Sequence, residues 1–152
     1  MTQSSWSALV VQDDPATAIR RVVIDNPPLG VLNQAVRRDL GSVFLQTQSD
    51  PAVRCLVFGS GPRSFCAGAD LREFAMRFDP LVARAHIENA QRMILALVEL
   101  DVPTIASIQG ACMGGGLELA LGCTYRIAAR SAKLALPEVN RGAWPGTGGC
   151  LL

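Results

Sequence analysis

Gly114, Gly115 and Gly116 stand in a row inside the stretch 105–121, IASIQGACMGGGLELAL. The residues before them are apolar and β-branched, and those after them are apolar at helical spacing. The pattern predicts a short buried strand, a tight loop of small residues, and a helix that begins at once. Without side chains at the opening of that helix, a ligand can come within hydrogen-bonding distance of bare backbone N–H groups. Such donors, with the positive end of a helix dipole behind them, suit an oxygen that becomes negative during a reaction. Glu118 follows in the first turn, where it is either a reacting carboxylate or a dipole-favoured acid. The glycines alone also fit a core helix that needs close packing.

A second stretch tips the balance. Residues 55–59, CLVFG, form a continuous apolar run with the character of a buried parallel strand. It leads into the loop SGPRSFCAGADLREF, where Gly68 between Ala67 and Ala69 again leaves backbone open to a ligand just beyond a strand end. Ligands bind at that place in open α/β sheets.

The rest of the chain supplies a frame. Residues 8–12 and 19–24 read as a hairpin around Asp13-Asp14-Pro15, and Asn26-Pro27-Pro28-Leu29-Gly30 ends its second strand. Asn33 is the predicted N-cap of a helix over 34–48, with Val36, Leu40, Val43 and Phe44 on one face. A long helix is predicted over 80–100, carrying Leu81, Ala85, Ala90, Met93, Ile94 and Leu97 inward, and Asp101-Val102-Pro103 ends it. Residues 104–108, 125–129 and 133–136 read as strands. A Gly- and Pro-rich stretch, PEVNRGAWPGTGG, then resembles another glycine turn into a helix. The order strand, strand, helix, strand, helix, strand, helix, strand is an α/β alternation with ββα character.

At 152 residues the chain has room for one domain. It is 49% hydrophobic and 18% charged, which fits a well-buried α/β protein or a piece of a larger assembly. A net charge of +1 gives no electrostatic footprint for nucleic acid or an anionic membrane. Five cysteines without a CxxC pair read as reduced thiols, and the single His86 lies apart from them, so no metal is expected. No apolar run approaches a membrane span, and MTQSSWSALVVQDDP has no signal-peptide pattern, so a cytoplasmic location is expected. Nucleotide binding is discounted, because no GK[ST] follows the glycines and no GxGxxG opens a first βαβ unit.

Three segments make the chain recognisable: SFCAGADLREF at 64–74, IQGACMGGGLELALGCTYRIA at 108–128 and ALPEVNRGAWPGTGG at 135–149. Together with NPPLGVLN at 26–33 they resemble, in order and spacing, the enoyl-CoA hydratase/isomerase family, the crotonase superfamily. The wording is most similar to the hydratase part of multifunctional β-oxidation enzymes. The resemblance implies a crotonase-like (ClpP/crotonase) α/β spiral of ββα units, C-terminally truncated, with residues 1–152 forming the N-terminal part of a single domain. It implies an oxyanion hole made by the backbone N–H groups of Ala69 and Gly115. Two catalytic glutamates are implied, Glu118 to orient and activate water and Glu138 to exchange a proton at the α-carbon. Ala67, Gly68, Asp70, Leu71, Arg72 and Gly114 would contact substrate, with Arg72 near the CoA phosphates. Leu29 and Gly30 stand near the place where the family's hydratases commonly carry a CoA-binding lysine. Met113 and Trp144 are candidates to line an acyl pocket or to pack the core.

The implied reaction adds water to a 2-enoyl-CoA to give a 3-hydroxyacyl-CoA, with no cofactor beyond the coenzyme A of the substrate. The same resemblance implies a homo-oligomer and a possible fusion to a 3-hydroxyacyl-CoA dehydrogenase. The alternatives are a Δ3,Δ2-enoyl-CoA isomerase and a non-catalytic fragment. Because the chain stops at Leu152 in a glycine-led helix start, apolar faces are expected to be left exposed and the chain alone to aggregate.

Overall fold

A computed structural model describes residues 6–61, 63–73 and 79–152. Phe74, which closes the SFCAGADLREF segment, and the first residues of MTQSSWSALVVQDDP lie outside the described residues.

The expected hairpin is present. Strands β1 (Leu9–Asp14) and β2 (Ile19–Ile24) pair antiparallel, from Leu9 opposite Ile24 to Asp14 opposite Ile19. Asp14, expected in the turn, closes the ladder, and its carboxylate accepts from the Ala16 N–H and the Thr17 hydroxyl. Helix α1 (Gln34–Ser49) follows, with the Asn33 side chain accepting the Val36 N–H at 2.9 Å. Its predicted inner face, Val36, Leu40, Val43 and Phe44, is buried. The Phe44 ring meets Phe58 of β3 edge to face, with centroids 6.0 Å apart. Each such side chain contributes about 1.5–3 kcal/mol by leaving water, so this stripe alone fixes the helix against the sheet.

Strands β3 (Cys55–Gly59), β5 (Thr104–Ile108) and β7 (Tyr125–Ala128) extend the hairpin into a five-stranded sheet in the order β1-β2-β3-β5-β7. Every pair after the hairpin is parallel. Two further strands, β4 (Ser64–Cys66) and β6 (Ala111–Met113), lie in segments that read as loops. At three residues each they are too short to show a period of two. They pair in parallel with β8 (Lys133–Ala135) in a second sheet of order β4-β6-β8. From β3 onward the chain thus lays one strand in the first sheet and the next in the second, three times over. Parallel strands end on the same side. The segments that follow β4, β6 and β8 therefore emerge together, and these carry Ala69, Gly115 and Glu138.

Between β3 and β5 the chain returns through α2 (Pro80–Val98), capped by the Asp79 carboxylate, and between β6 and β7 through α3 (Gly115–Leu121). The buried stripe of α2 is Ala90, Met93, Ile94 and Leu97, whereas Leu81 and Ala85, expected inward, are exposed. Length accounts for the difference. Nineteen helical residues span roughly 28 Å against roughly 17 Å for a five-residue strand, so the first turns of α2 overrun the sheet they cover. All four residues of β7 are exposed, as are Lys133 and Leu134 of β8.

Candidate active site

The short strand β4 delivers the first loop. Its continuation pairs as a single parallel bridge with Leu32, whose N–H donates to the Gly68 carbonyl at 2.8 Å and whose carbonyl accepts from the Asp70 N–H at 3.3 Å. The bridge uses the groups on either side of Ala69, so the N–H of Ala69 itself points the other way. It meets no acceptor among the described residues. The Ala67 N–H is taken by the Leu29 carbonyl at 3.2 Å. The Asp70 carboxylate, implied to touch substrate, binds the Arg72 guanidinium at 2.7 Å, which holds its carboxyl below the usual carboxylate range. Arg72 remains exposed, and Leu71 is exposed beside it.

Strand β6 delivers the second loop. Gly114 has φ of +51°, which an L side chain rarely adopts, and its N–H is used by the Ala135 carbonyl at 2.9 Å. Gly115 opens α3, and its N–H also meets no acceptor among the described residues. A methyl built at Gly115 would stand 3.8 Å from the Ala69 nitrogen and 3.2 Å from Leu32 Cδ1. One built at Gly68, where φ is +91°, would stand 3.4 Å from the Gly115 nitrogen. The two loops are in contact, and their two unpaired donors share one small space. Since α3 has only seven residues, the two N–H groups matter more here than any helix dipole.

Both glutamates border that space. Glu118 is only 2% exposed, yet its Oε1 accepts the N–H of Thr147 at 2.7 Å and of Gly149 at 2.9 Å. Its Oε2 stands 3.8 Å from the methyl position at Gly115. Glu138 opens a 3-10 turn (Glu138–Arg141), with Oε1 2.6 Å from the methyl position at Gly114. Its Oε2 is buried with no hydrogen-bond partner among the described residues. Burial pushes the Glu138 carboxyl above the ordinary carboxylate value, and the nearby Glu118 charge adds to this. The result is two carboxyl groups and two backbone donors, an arrangement able to polarise a carbonyl oxygen and move protons beside it.

Thr147 and Gly149 had a sequence signal in the PGTGG turn, which looks like a helix start but serves to cap a carboxylate. Leu32 had none. Met113 is half-buried at the end of β6, while Trp144 is 77% exposed and so takes no part in the core. Two clefts lie elsewhere. One of about 350 Å³ is lined by Asn26, Pro28, Arg63 and Ser64 among others, and one of about 740 Å³ runs between α1 and α2. Neither includes Ala69, Gly115, Glu118 or Glu138. The site is recognised by convergent chemistry.

The thiols stand apart from this chemistry. None of the five cysteines is disulfide-bonded. Burial pushes the Cys66 and Cys123 thiols to about 12 and that of Cys112 to about 11, so all three are protonated at neutral pH. Among the described residues no group of three His, Cys, Asp or Glu could hold a metal ion, and no helix is long and apolar enough to cross a membrane.

Residues 15–152 match the model of the family described as enoyl-CoA hydratase/isomerase. A probable enoyl-CoA hydratase of Bacillus subtilis is 39% identical over 128 residues, covering 84% of this chain and 50% of that protein. A fatty acid oxidation complex subunit alpha of Idiomarina loihiensis is 36% identical over 152 residues, covering 98% of this chain and 21% of that one. Among solved structures, Pseudomonas aeruginosa DspI superposes with a TM-score of 0.90 at 34% identity, covering 99% of this chain and 62% of that one. The enoyl-CoA hydratase from Bacillus anthracis superposes with a TM-score of 0.87 at 30% identity, covering 95% and 56%. The chain thus spans about half to three fifths of these hydratase-sized relatives and a fifth of the longer subunit. The α/β spiral is the crotonase fold expected above. With residues 15–152 of the chain matching the family's model and both glycine loops in place, the chain belongs to the enoyl-CoA hydratase/isomerase family.

Proposed function

We propose that the polypeptide carrying this sequence is an enoyl-CoA hydratase, adding water across the double bond of a 2-enoyl-CoA thioester to give a 3-hydroxyacyl-CoA. The observation that carries this reading is the approach of the unpaired Ala69 and Gly115 N–H groups, bordered by Glu118 and Glu138. The thioester oxygen sits between the two donors, which stabilise the negative charge it gains as an enolate. Donors of this kind are worth about 3 kcal/mol each of transition-state stabilisation. Glu118, its Oε1 occupied by two N–H groups, directs Oε2 to a water and assists attack of its oxygen on the β-carbon. Glu138 delivers a proton to the α-carbon, a role supported by the upward push on its carboxyl. The water oxygen keeps one hydrogen and ends as the β-hydroxyl, its other proton passes to Glu118, and transfer of that proton to the Glu138 carboxylate restores both groups, so one water is consumed per turnover.

Arg72 and Arg63 are the exposed cations nearest the Ala69 loop in sequence, and we assign them to the anionic part of coenzyme A. Similarity to the alpha subunit of a fatty acid oxidation complex supports β-oxidation as the setting and a larger multifunctional polypeptide as the context. Analysis of the product separates hydration from isomerisation, since an isomerase yields a shifted double bond and no 3-hydroxyacyl-CoA.

The test of the donors is spectral. An acyl-CoA with a conjugated chromophore should shift its absorbance to the red when bound to the full-length polypeptide, because both N–H groups polarise its carbonyl. Ala69→Ser should keep the shift, whereas Ala69→Pro, which has no N–H, should lose it while still binding. A folded Ala69→Pro protein that binds the chromophore with an unchanged shift would rule out this donor.

A further inference from the structure

The Ala69 N–H is useful only if the 68–70 segment stays flat against Leu32, and side chains remote from the reacting space enforce this. The Leu32 carbonyl that accepts from Asp70 also accepts Arg37 Nη1 at 2.7 Å. Arg37 Nη2 binds Glu73 Oε2 at 2.7 Å, and Glu73 Oε1 accepts the Gln34 N–H at 2.7 Å. Glu73 in turn closes the loop through its own N–H, which donates to the Asp70 carbonyl at 3.1 Å. The side chains of Arg37 and Glu73 are only 8% and 13% exposed, and His86 of α2 lies against both, its Nδ1 3.4 Å from Arg37 Nη2 and 4.0 Å from Glu73 Oε2. The ring of contacts runs from Leu32 through Arg37 to Glu73 and back along the donor loop. Leu32 Cδ1 also lies 3.2 Å from where a methyl at Gly115 would stand, so the same ring reaches the neighbourhood of the second donor.

A largely buried ion pair is a weak source of stability, because desolvation offsets most of its attraction, but its fork geometry is directional. We propose that Arg37 and Glu73 are positioning residues that set the direction of the Ala69 N–H and, through Leu32, its distance from that of Gly115. This rests on the oxyanion reading above. Neither residue touches the reacting space, so the pair acts on the rate through geometry alone. Displacement of a reacting geometry by a fraction of an ångström to an ångström costs up to about 100-fold.

The experiment uses the full-length polypeptide with Arg37→Lys, Glu73→Gln and Glu73→Ala, and with Arg38→Lys as a control on the exposed side of α1. Arg37→Lys keeps the charge and loses the fork. It should lower kcat about 10- to 100-fold with KM within about threefold of wild type, and shrink the red shift of the bound chromophore. Glu73→Gln, which can still accept from Gln34 or Arg37, should recover most of the shift that Glu73→Ala loses. Arg38→Lys should change neither. If Arg37→Lys and Glu73→Ala lower Tm but leave kcat and the shift as in wild type, the pair serves stability only and the proposal is overturned. If wild type itself gives neither turnover nor shift, the oxyanion reading falls and takes the proposal with it. A wild-type shift that survives in every variant removes the positioning role alone. Should Arg37→Lys fail to fold, the comparison of Glu73→Gln with Glu73→Ala decides by the same criteria.

Discussion

The start of α3 and the 3-10 turn at Glu138–Arg141 bring one carboxyl group each to the same space, and treat it in opposite ways. Glu118 is enclosed, with two backbone N–H groups fixing Oε1. Glu138 lies in a stretch whose neighbours Val139 and Trp144 are each 77% exposed, and its buried Oε2 meets no donor among the described residues. One carboxylate is held in place by hydrogen bonds, and the other is left with little to favour its charge. In the proposed hydration, a pair that handles a water and a proton separately gains from this asymmetry, since orientation and readiness to accept a proton are different requirements.

The largest effect that tests the contrast is on turnover. Glu118→Gln and Glu138→Gln in the full-length polypeptide should each lower kcat for hydration by about 10²–10⁴-fold while leaving CoA-ester binding nearly intact. Single-turnover hydration assays with parallel binding titrations measure both. Near-normal turnover in either variant would remove that glutamate from the mechanism.

A middle-sized effect sets the rigid floor against the open turn. A methyl at Gly116 would collide with the Cys66 carbonyl, which is backbone and cannot swing aside, whereas one at Gly142 would meet nothing within 4 Å. Gly116→Ala should therefore cost about 1–3 kcal/mol of stability or more by overpacking. Gly142→Ala should cost about 1 kcal/mol, because only its φ of +66° opposes a side chain. Urea midpoints give the ranking, and equal losses would show that the 137–142 turn is as constrained as the floor.

The smallest effect concerns pH. The folded-state value of Glu138 lies above its unfolded value, so the native state holds the proton more tightly. Stability should then fall as pH rises from the ordinary value of 4.5 through the raised one, and be flat on either side. Several other carboxylates, Asp13 and Asp70 among them, are shifted downward and tilt the curve the other way. The informative quantity is the difference in Tm between wild type and Glu138→Gln across this range. A difference independent of pH would mean that Glu138 is not desolvated.

Much of this was legible in the residues, for physical reasons that differ by element. The inner face of α1 repeats over about two and a half turns from Val36 to Phe44, and CLVFG is uniformly apolar, so tertiary packing only enforces what the period already states. Strands β4 and β6 were invisible, because three residues cannot display an alternation and their partners lie far along the chain. The apolar start of α2 misled, since Leu81 and Ala85 have the right spacing but lie beyond the sheet. At the site, the glycines and glutamates carry family wording, and their segments are readable. What the residues do not announce is that the N–H groups of Ala67, Asp70 and Gly114 are consumed internally, while those of Ala69 and Gly115 meet no acceptor among the described residues. The Arg37–Glu73 pair was equally hidden. Its members are 36 positions apart and join only through the fold.

The alternation of strands between the two sheets has a consequence for scale. Ala69 follows β4 by three residues, Gly115 follows β6 by two, and Glu138 follows β8 by three. The three positions are therefore corresponding points on successive rungs of one short ladder, and adjacent rungs lie about 4.8 Å apart whatever their sequence. Hydrogen bonding between backbones acts as the ruler that spaces the site. Loop and helix lengths between rungs can change freely without altering the gauge, so long as each coil returns its strand to the ladder. A chain built this way can vary what surrounds the site while the Ala69 and Gly115 N–H groups and the Glu138 carboxyl keep their separation.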